Sequence, residues 1–150
     1  HKCNNLYREG FCMLSKEVLN KIRKIDMMID FKCEQVETLR SRLTSLGSPS
    51  TGDKVQSSLD PDKFTNTMSK IIELEEKINA DIDELVDLKR DAMNCIEKLN
   101  KDVEKLVLYK RYFNNKSFEQ ISVEMGYSWR QIHRIHGNAL KNFDKVYKMS

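Results

Sequence analysis

Residues 117–136 read SFEQISVEMGYSWRQIHRIH, and where this stretch places its serines, glycine and isoleucines decides the fold. Ser117 followed by Gln120 has the spacing of a capping box, in which a hydroxyl and a side-chain amide each satisfy a free backbone group at a helix start. That short helix carries Phe118, Ile121 and Met125 on its apolar side. Gly126 supplies the left-handed conformation needed to leave it, and Ser128 is placed to cap the next helix, from Trp129. Helices joined by so tight a turn cross steeply, and the small Ser122 leaves room for the crossing. Apolar 121, small 122, apolar 125, glycine 126, aromatic 127 and apolar 132 and 135 together have the spacing of a helix-turn-helix.

With Ile132, Ile135 and Ala139 turned inward, the second helix presents Trp129, Arg130, Gln131, His133 and Arg134 outward as candidate base contacts. Arginine bonds guanine with two parallel hydrogen bonds and glutamine does the same to adenine. Candidate phosphate contacts are Lys110, Lys116, Ser117, Ser128 and Lys141, joined by Gly137, whose missing side chain lets a DNA backbone come close. The recognition helix spans 129–142. The plain alternative is a solvated helix face with Trp129 packed on the preceding helix. His133 and His136, three apart, have no acidic or thiol neighbour to complete a metal site, so neither metal nor cofactor is expected.

Upstream, Val18, Ile22, Ile25, Ile29, Val36, Leu39, Leu43 and Leu46 alternate four and three apart, with Lys32 in one slot, which predicts a helix of about 30 residues. Gly, Ser, Pro and Asp between 47 and 60 predict a loop. Asp60 as cap, Pro61 in the first turn and Asp62 near the positive end of the dipole then start a second helix. Its stripe counts from Phe64 through Met68, Ile71, Glu75, Ile78, Ile82, Leu85, Lys89, Ala92, Ile96, Leu99 and Val103 to Leu106. A stripe so narrow requires a partner helix. The first helix folding back antiparallel provides one, and pairing between chains is the competing arrangement. The first helix is the shorter, so part of the second stays uncovered, which predicts a homo-oligomer, a dimer foremost. Asn100-Lys101-Asp102 kinks or ends the second helix, VEKLVLYKRYF forms another, and Asn114-Asn115-Lys116 breaks that.

The expected class is therefore all-α. A long antiparallel helical hairpin occupies 13–102 with its loop at 47–60, a helix-turn-helix domain occupies 103–150, and residues 1–12 are an upstream extension or remnant. The 33% charged content, five glycines and two prolines fit long helices with wet faces. Residues 103–150 hold 9 basic and 4 acidic side chains, a net of +5, whereas 61–102 hold 7 and 11, a net of −4. The basic excess thus lies where DNA phosphates would need it. No apolar run approaches the roughly 20 residues of a membrane span, and no signal segment opens the chain, so no membrane partner and a cytoplasmic protein are expected. Four cysteines without a CxxC pair read as thiols, Cys33 and Cys95 buried within helices. The sequence shows no nucleophile–base constellation, no phosphate-binding glycine loop and no paired carboxylates in an apolar setting, which argues against an enzyme.

The segment LVLYKRYFNNKSFEQISVEMGYSWRQIHRIHGNALKNF resembles region 4 of sigma-70-type factors, with Lys110-Arg111-Tyr112 at a helix end and Gly126-Tyr127-Ser128 at the turn. SPSTGDKVQSS and LEEKINADIDELVDLKR are similar to small phage- and prophage-encoded proteins of Gram-positive bacteria, akin to ArpU-type late regulators. The likeness covers nearly everything after Met13. It implies DNA binding and control of phage genes in a bacterial host, with a helical N-terminal part joined to the helix-turn-helix; the hairpin is then expected to dimerise or to touch RNA polymerase. The chain departs from sigma factors in lacking a promoter-melting region, and in Gln131 and His133 where they often carry threonine and a basic residue. Two other readings share the helices: a DNA-packaging recognition subunit of the small-terminase kind, and an interaction adaptor without DNA binding.

Overall fold

The computed structural model describes residues 15–45 and 60–150, and every regular element within them is helical. Helix α1 spans Ser15–Ser45 and α2 spans Pro61–Glu97. Helix α3, Asp102–Leu108, runs directly into one π-helical turn, Tyr109–Phe113, and α4 (Phe118–Met125) and α5 (Trp129–Met149) follow. The expected 1–12 extension and all of the 47–60 loop except Asp60 lie outside the described residues. Among the described residues no helix is long and apolar enough to cross a membrane.

The start of α2 follows its sequence signals. The Asp60 carboxylate accepts from the Asp62 amide at 3.1 Å and its carbonyl accepts from Phe64 at 3.1 Å, while Pro61 fills a position whose missing N–H costs nothing. The helix stops at Glu97, where Lys98 and Leu99 donate to the carbonyls of Cys95 and Ile96 at 3.2 and 3.0 Å and tighten the last turn. The four-three count through Leu99, Val103 and Leu106 therefore crosses a break, and Leu106 stands exposed beyond it.

The chain divides into two compact units, and the division does not fall at 102/103 where the periodicity placed it. One unit is continuous, Asp26–Glu84; the other is assembled from residues 15–25 together with Leu85–Ser150. In the continuous unit, Val36, Ile71 and Ile78 form a buried cluster flanked by Ile29, Leu39, Leu43 and Leu74. Lys32 pairs with Asp81 and Arg40 with Glu75, so partners descend α2 as they ascend α1 and the helices are antiparallel. Two of the polar slots in the apolar stripes, Lys32 and Glu75, are thus filled by cross-helix ion pairs. Cys33 is exposed rather than buried, because it faces away from that seam, whereas Cys95 is buried.

The other unit draws its core from both parts of the chain. Val18, Leu19 and Ile22 at the start of α1, Ala92 and Ile96 late in α2, and Phe143 of α5 are all fully buried. Polar contacts stitch the same elements together: the Ser15 hydroxyl donates to Asp144 at 2.6 Å, Tyr109 donates to Glu97, and Asn142 donates to Glu104 at 2.7 Å. Glu104 is only 3% exposed, and Lys101 stands 3.7 Å away. A buried carboxylate keeps its place only when its acceptor sites are filled. These contacts explain why the ends of the long helices belong with residues 103–150.

Candidate nucleic-acid interface

Local hydrogen bonding fixes α4 and α5 against each other. Ser117 Oγ accepts from the Gln120 amide at 3.2 Å while Gln120 Oε1 accepts from the Ser117 amide at 2.9 Å, and Ser128 and Gln131 repeat this reciprocal box at the same distances. Between them Gly126 takes φ 69° and ends α4, a conformation open to glycine without strain. Ser122 donates its hydroxyl to the Tyr127 carbonyl at 2.5 Å and accepts the Tyr127 amide at 3.2 Å, locking the turn. Upstream, Asn115 enters the left-handed region at φ 53° and carries out the break expected at 114–116. Ile121, Ile132 and Val107 form the cluster beneath, with Phe118, Met125, Tyr127 and Ile135 packed on it.

Helix α5 has two opposed sides. Ile132, Ala139 and Phe143 are fully buried, and at 100° per residue the opposite side carries Arg130, Arg134, Lys141 and Lys145, all exposed. From Arg130 to Lys145 this ridge runs about 22 Å at 1.5 Å per residue. Among the described residues none of the four takes part in an ion pair. Lys145, absent from the sequence-derived set, was signalled by its position one turn past Lys141.

The other expected contacts fare differently. Trp129 is 54% exposed, but its ring lies 4.0 Å from that of His133. His133 is part-buried between Trp129 and Phe118, whose ring is 4.2 Å away. Gln131 is exposed with its amide oxygen held in the capping box, and the hydroxyls of Ser117 and Ser128 serve their caps. Lys110 and Lys116 both pair with Glu124, and these two ammonium groups hold its carboxyl below the usual range. Gly137 is part-buried, yet nothing stands within 4 Å of where its Cβ would be. The structure thus brings Arg130, Arg134, Gly137 and Lys141 to one face and sets Lys110 and Lys116 apart, neutralised.

Behind the ridge lies an aromatic cluster that the sequence reading did not assemble. The Tyr112 hydroxyl and His136 Nε2 share a hydrogen bond of 2.9 Å, and Phe118 touches the His136 ring edge-on at 5.0 Å. Burial, followed by the charges of Arg111, His133 and Lys16, pushes the His136 pKa down to about 4. Its three-residue spacing from His133 marks a flank of α5, not a ligand pair. Among the described residues no group of three or more His, Cys, Asp or Glu side chains is disposed to hold a metal ion.

No protein-family model matches the chain, and neither the curated proteins nor the solved structures yield a significant match.

Proposed function

We propose that the protein is a sequence-specific DNA-binding regulator of phage or prophage transcription, with α4 and α5 acting as a helix-turn-helix of the sigma-70 region 4 kind. Helix α5 enters the major groove through residues 129–142. The observation that carries the reading is the ridge of Arg130, Arg134, Lys141 and Lys145: four exposed cations on one face, none ion-paired among the described residues, on a helix pinned by a capping box at its start. Cations left unpaired along one groove-sized face match the phosphate spacing and the donor needs of duplex DNA. Arg130 and Arg134 are assigned to bases, Lys141 and Lys145 to phosphates. Exposed Met27, Met28 and Phe31 on α1 and Ile72 and Ile82 on α2 support self-association of the antiparallel helices, with contact to RNA polymerase as the alternative use of that surface.

The test is selection of bound genomic fragments followed by salt titration. Arg130→Ala and Arg134→Ala are each expected to lose about 1–3 kcal/mol of discrimination between selected and unrelated duplexes. Lys141→Ala weakens all duplexes alike and reduces the slope of log affinity against log salt by about 0.9. A parent chain with no salt-dependent affinity for any duplex removes the reading and leaves the interaction adaptor.

A further inference from the structure

A second group of cations sits on the flank of α5, about a quarter turn from the ridge and on the side of His133. Arg111, in the π-helical turn, holds its guanidinium 4.3 Å over the Phe118 ring and donates to the Lys116 carbonyl at 3.0 Å. Arg23, on α1, acts on the same group, its charge bearing on both Arg111 and Tyr112. Its Nε is buried and meets no hydrogen-bond acceptor among the described residues. The two guanidiniums are close enough that Arg23, acting after burial, weakens the hold of Arg111 on its proton, and Lys16 acts in the same sense on His136. Glu119, exposed, acts on Arg111 in the opposite sense, and its own carboxyl is held below the usual range by hydrogen bonding to its backbone, to Ser117 and to Trp129.

Gathering like charges and burying a guanidinium nitrogen without an acceptor are both unfavourable for the chain alone. Both become favourable when a group with several acceptor oxygens enters, and the planar fork of arginine suits phosphate best. We propose that Arg23 and Arg111 form a phosphate clamp on the flank of α5, through which α1, remote in sequence, grips a backbone phosphate of the bound duplex. The clamp rests on the DNA-binding reading for the source of its phosphate; the site chemistry itself requires only the phosphate group. A helix seated in the major groove brings its flank against one strand, where contacts position without specifying sequence.

The test uses the full chain with a mixed-sequence duplex and inorganic phosphate as probes, comparing the parent with Arg23→Gln, Arg23→Lys and Arg130→Gln. Arg23→Gln is expected to weaken every duplex about three- to tenfold and to flatten the salt slope by about 0.9. Arg23→Lys, which keeps the charge without the fork, is expected to keep the slope. The melting temperature of Arg23→Gln holds or rises, since an unmatched buried donor has gone; a fall assigns Arg23 a structural role and overturns the clamp. Equal binding by parent and Arg23→Gln, with Arg130→Gln weaker, also overturns it and leaves the DNA reading standing. If the parent binds no duplex even at low salt, the DNA reading falls and the fluorescence of Trp129, the one tryptophan in the chain, decides under phosphate titration. A response lost in Arg23→Gln then keeps the clamp as a site for a free phosphorylated ligand, and no response overturns it.

Discussion

Gly137 stands in the middle of α5 with open space where a side chain would project. A glycine inside a helix destabilises it relative to alanine, by its backbone freedom when unfolded. Nothing within the chain requires the gap, so Gly137→Ala is expected to raise stability by about 0.5–1 kcal/mol in urea unfolding. Duplex affinity should fall in the same variant, because a methyl group now meets the approaching backbone; a variant that gains stability at full affinity strikes Gly137 from the contact set. His136 makes a prediction of opposite sign. Its folded pKa of about 4 lies below the roughly 6.5 of an unfolded histidine. The fold's preference for the neutral ring is therefore complete above about pH 6.5 and is lost as pH falls from there towards 4. Allowing for its partial exposure, the loss is on the order of 1–2 kcal/mol. Urea midpoints at pH 7 and pH 5 should differ in the parent and much less in His136→Gln, which keeps an acceptor for Tyr112.

The helices α4 and α5 illustrate what was legible beforehand. Both caps, the exit through Gly126 and the break at Asn114-Asn115-Lys116 depend on residues within four positions of one another, so a single chain of letters carries the whole interaction. Ser128→Ala is expected to destabilise by about 1 kcal/mol, measured by thermal unfolding, while Ile132→Ala, from a fully buried site, removes about 2–5 kcal/mol. A larger loss from the cap than from the core would contradict this ranking. For α2, the break expected at Asn100-Lys101-Asp102 occurs, with the helix ending at Glu97 and α3 beginning at Asp102. The apolar count alone runs on through it, because Leu99 stays buried although it is no longer helical. The exposure of Cys33 escaped for a related reason: α1 bears Met27, Met28 and Phe31 outside its paired seam, so apolar spacing alone did not tell which side is covered. Arg23, Arg111 and His136 come together only through tertiary packing, across separations that no local motif spans.

For the whole molecule, the exposed apolar side chains of the continuous unit matter most. Met27, Met28 and Phe31 on α1 and Ile72 and Ile82 on α2 are all exposed, and exposed apolar surface marks an interaction site where it is contiguous. If the proposed self-association holds, Phe31→Ser with Met28→Ser is expected to shift the sedimentation mass of the protein towards monomer with little loss of helical signal; a monomeric parent or an unchanged mass would remove this surface as a contact. All-helical content and the antiparallel seam followed from periodicity, whereas the division of the chain did not, since membership of a unit is decided by what residues 15–25 touch more than sixty positions later. That interrupted construction has a consequence for biosynthesis. During translation the stretch from Asp26 to Glu84 can collapse as soon as it leaves the ribosome, while Val18, Leu19 and Ile22 wait for Phe143 before their apolar surface is covered. The continuous unit would thus be complete on a nascent chain that still lacks the last helix, and premature termination there would leave Val18, Leu19 and Ile22 without the cover of Phe143.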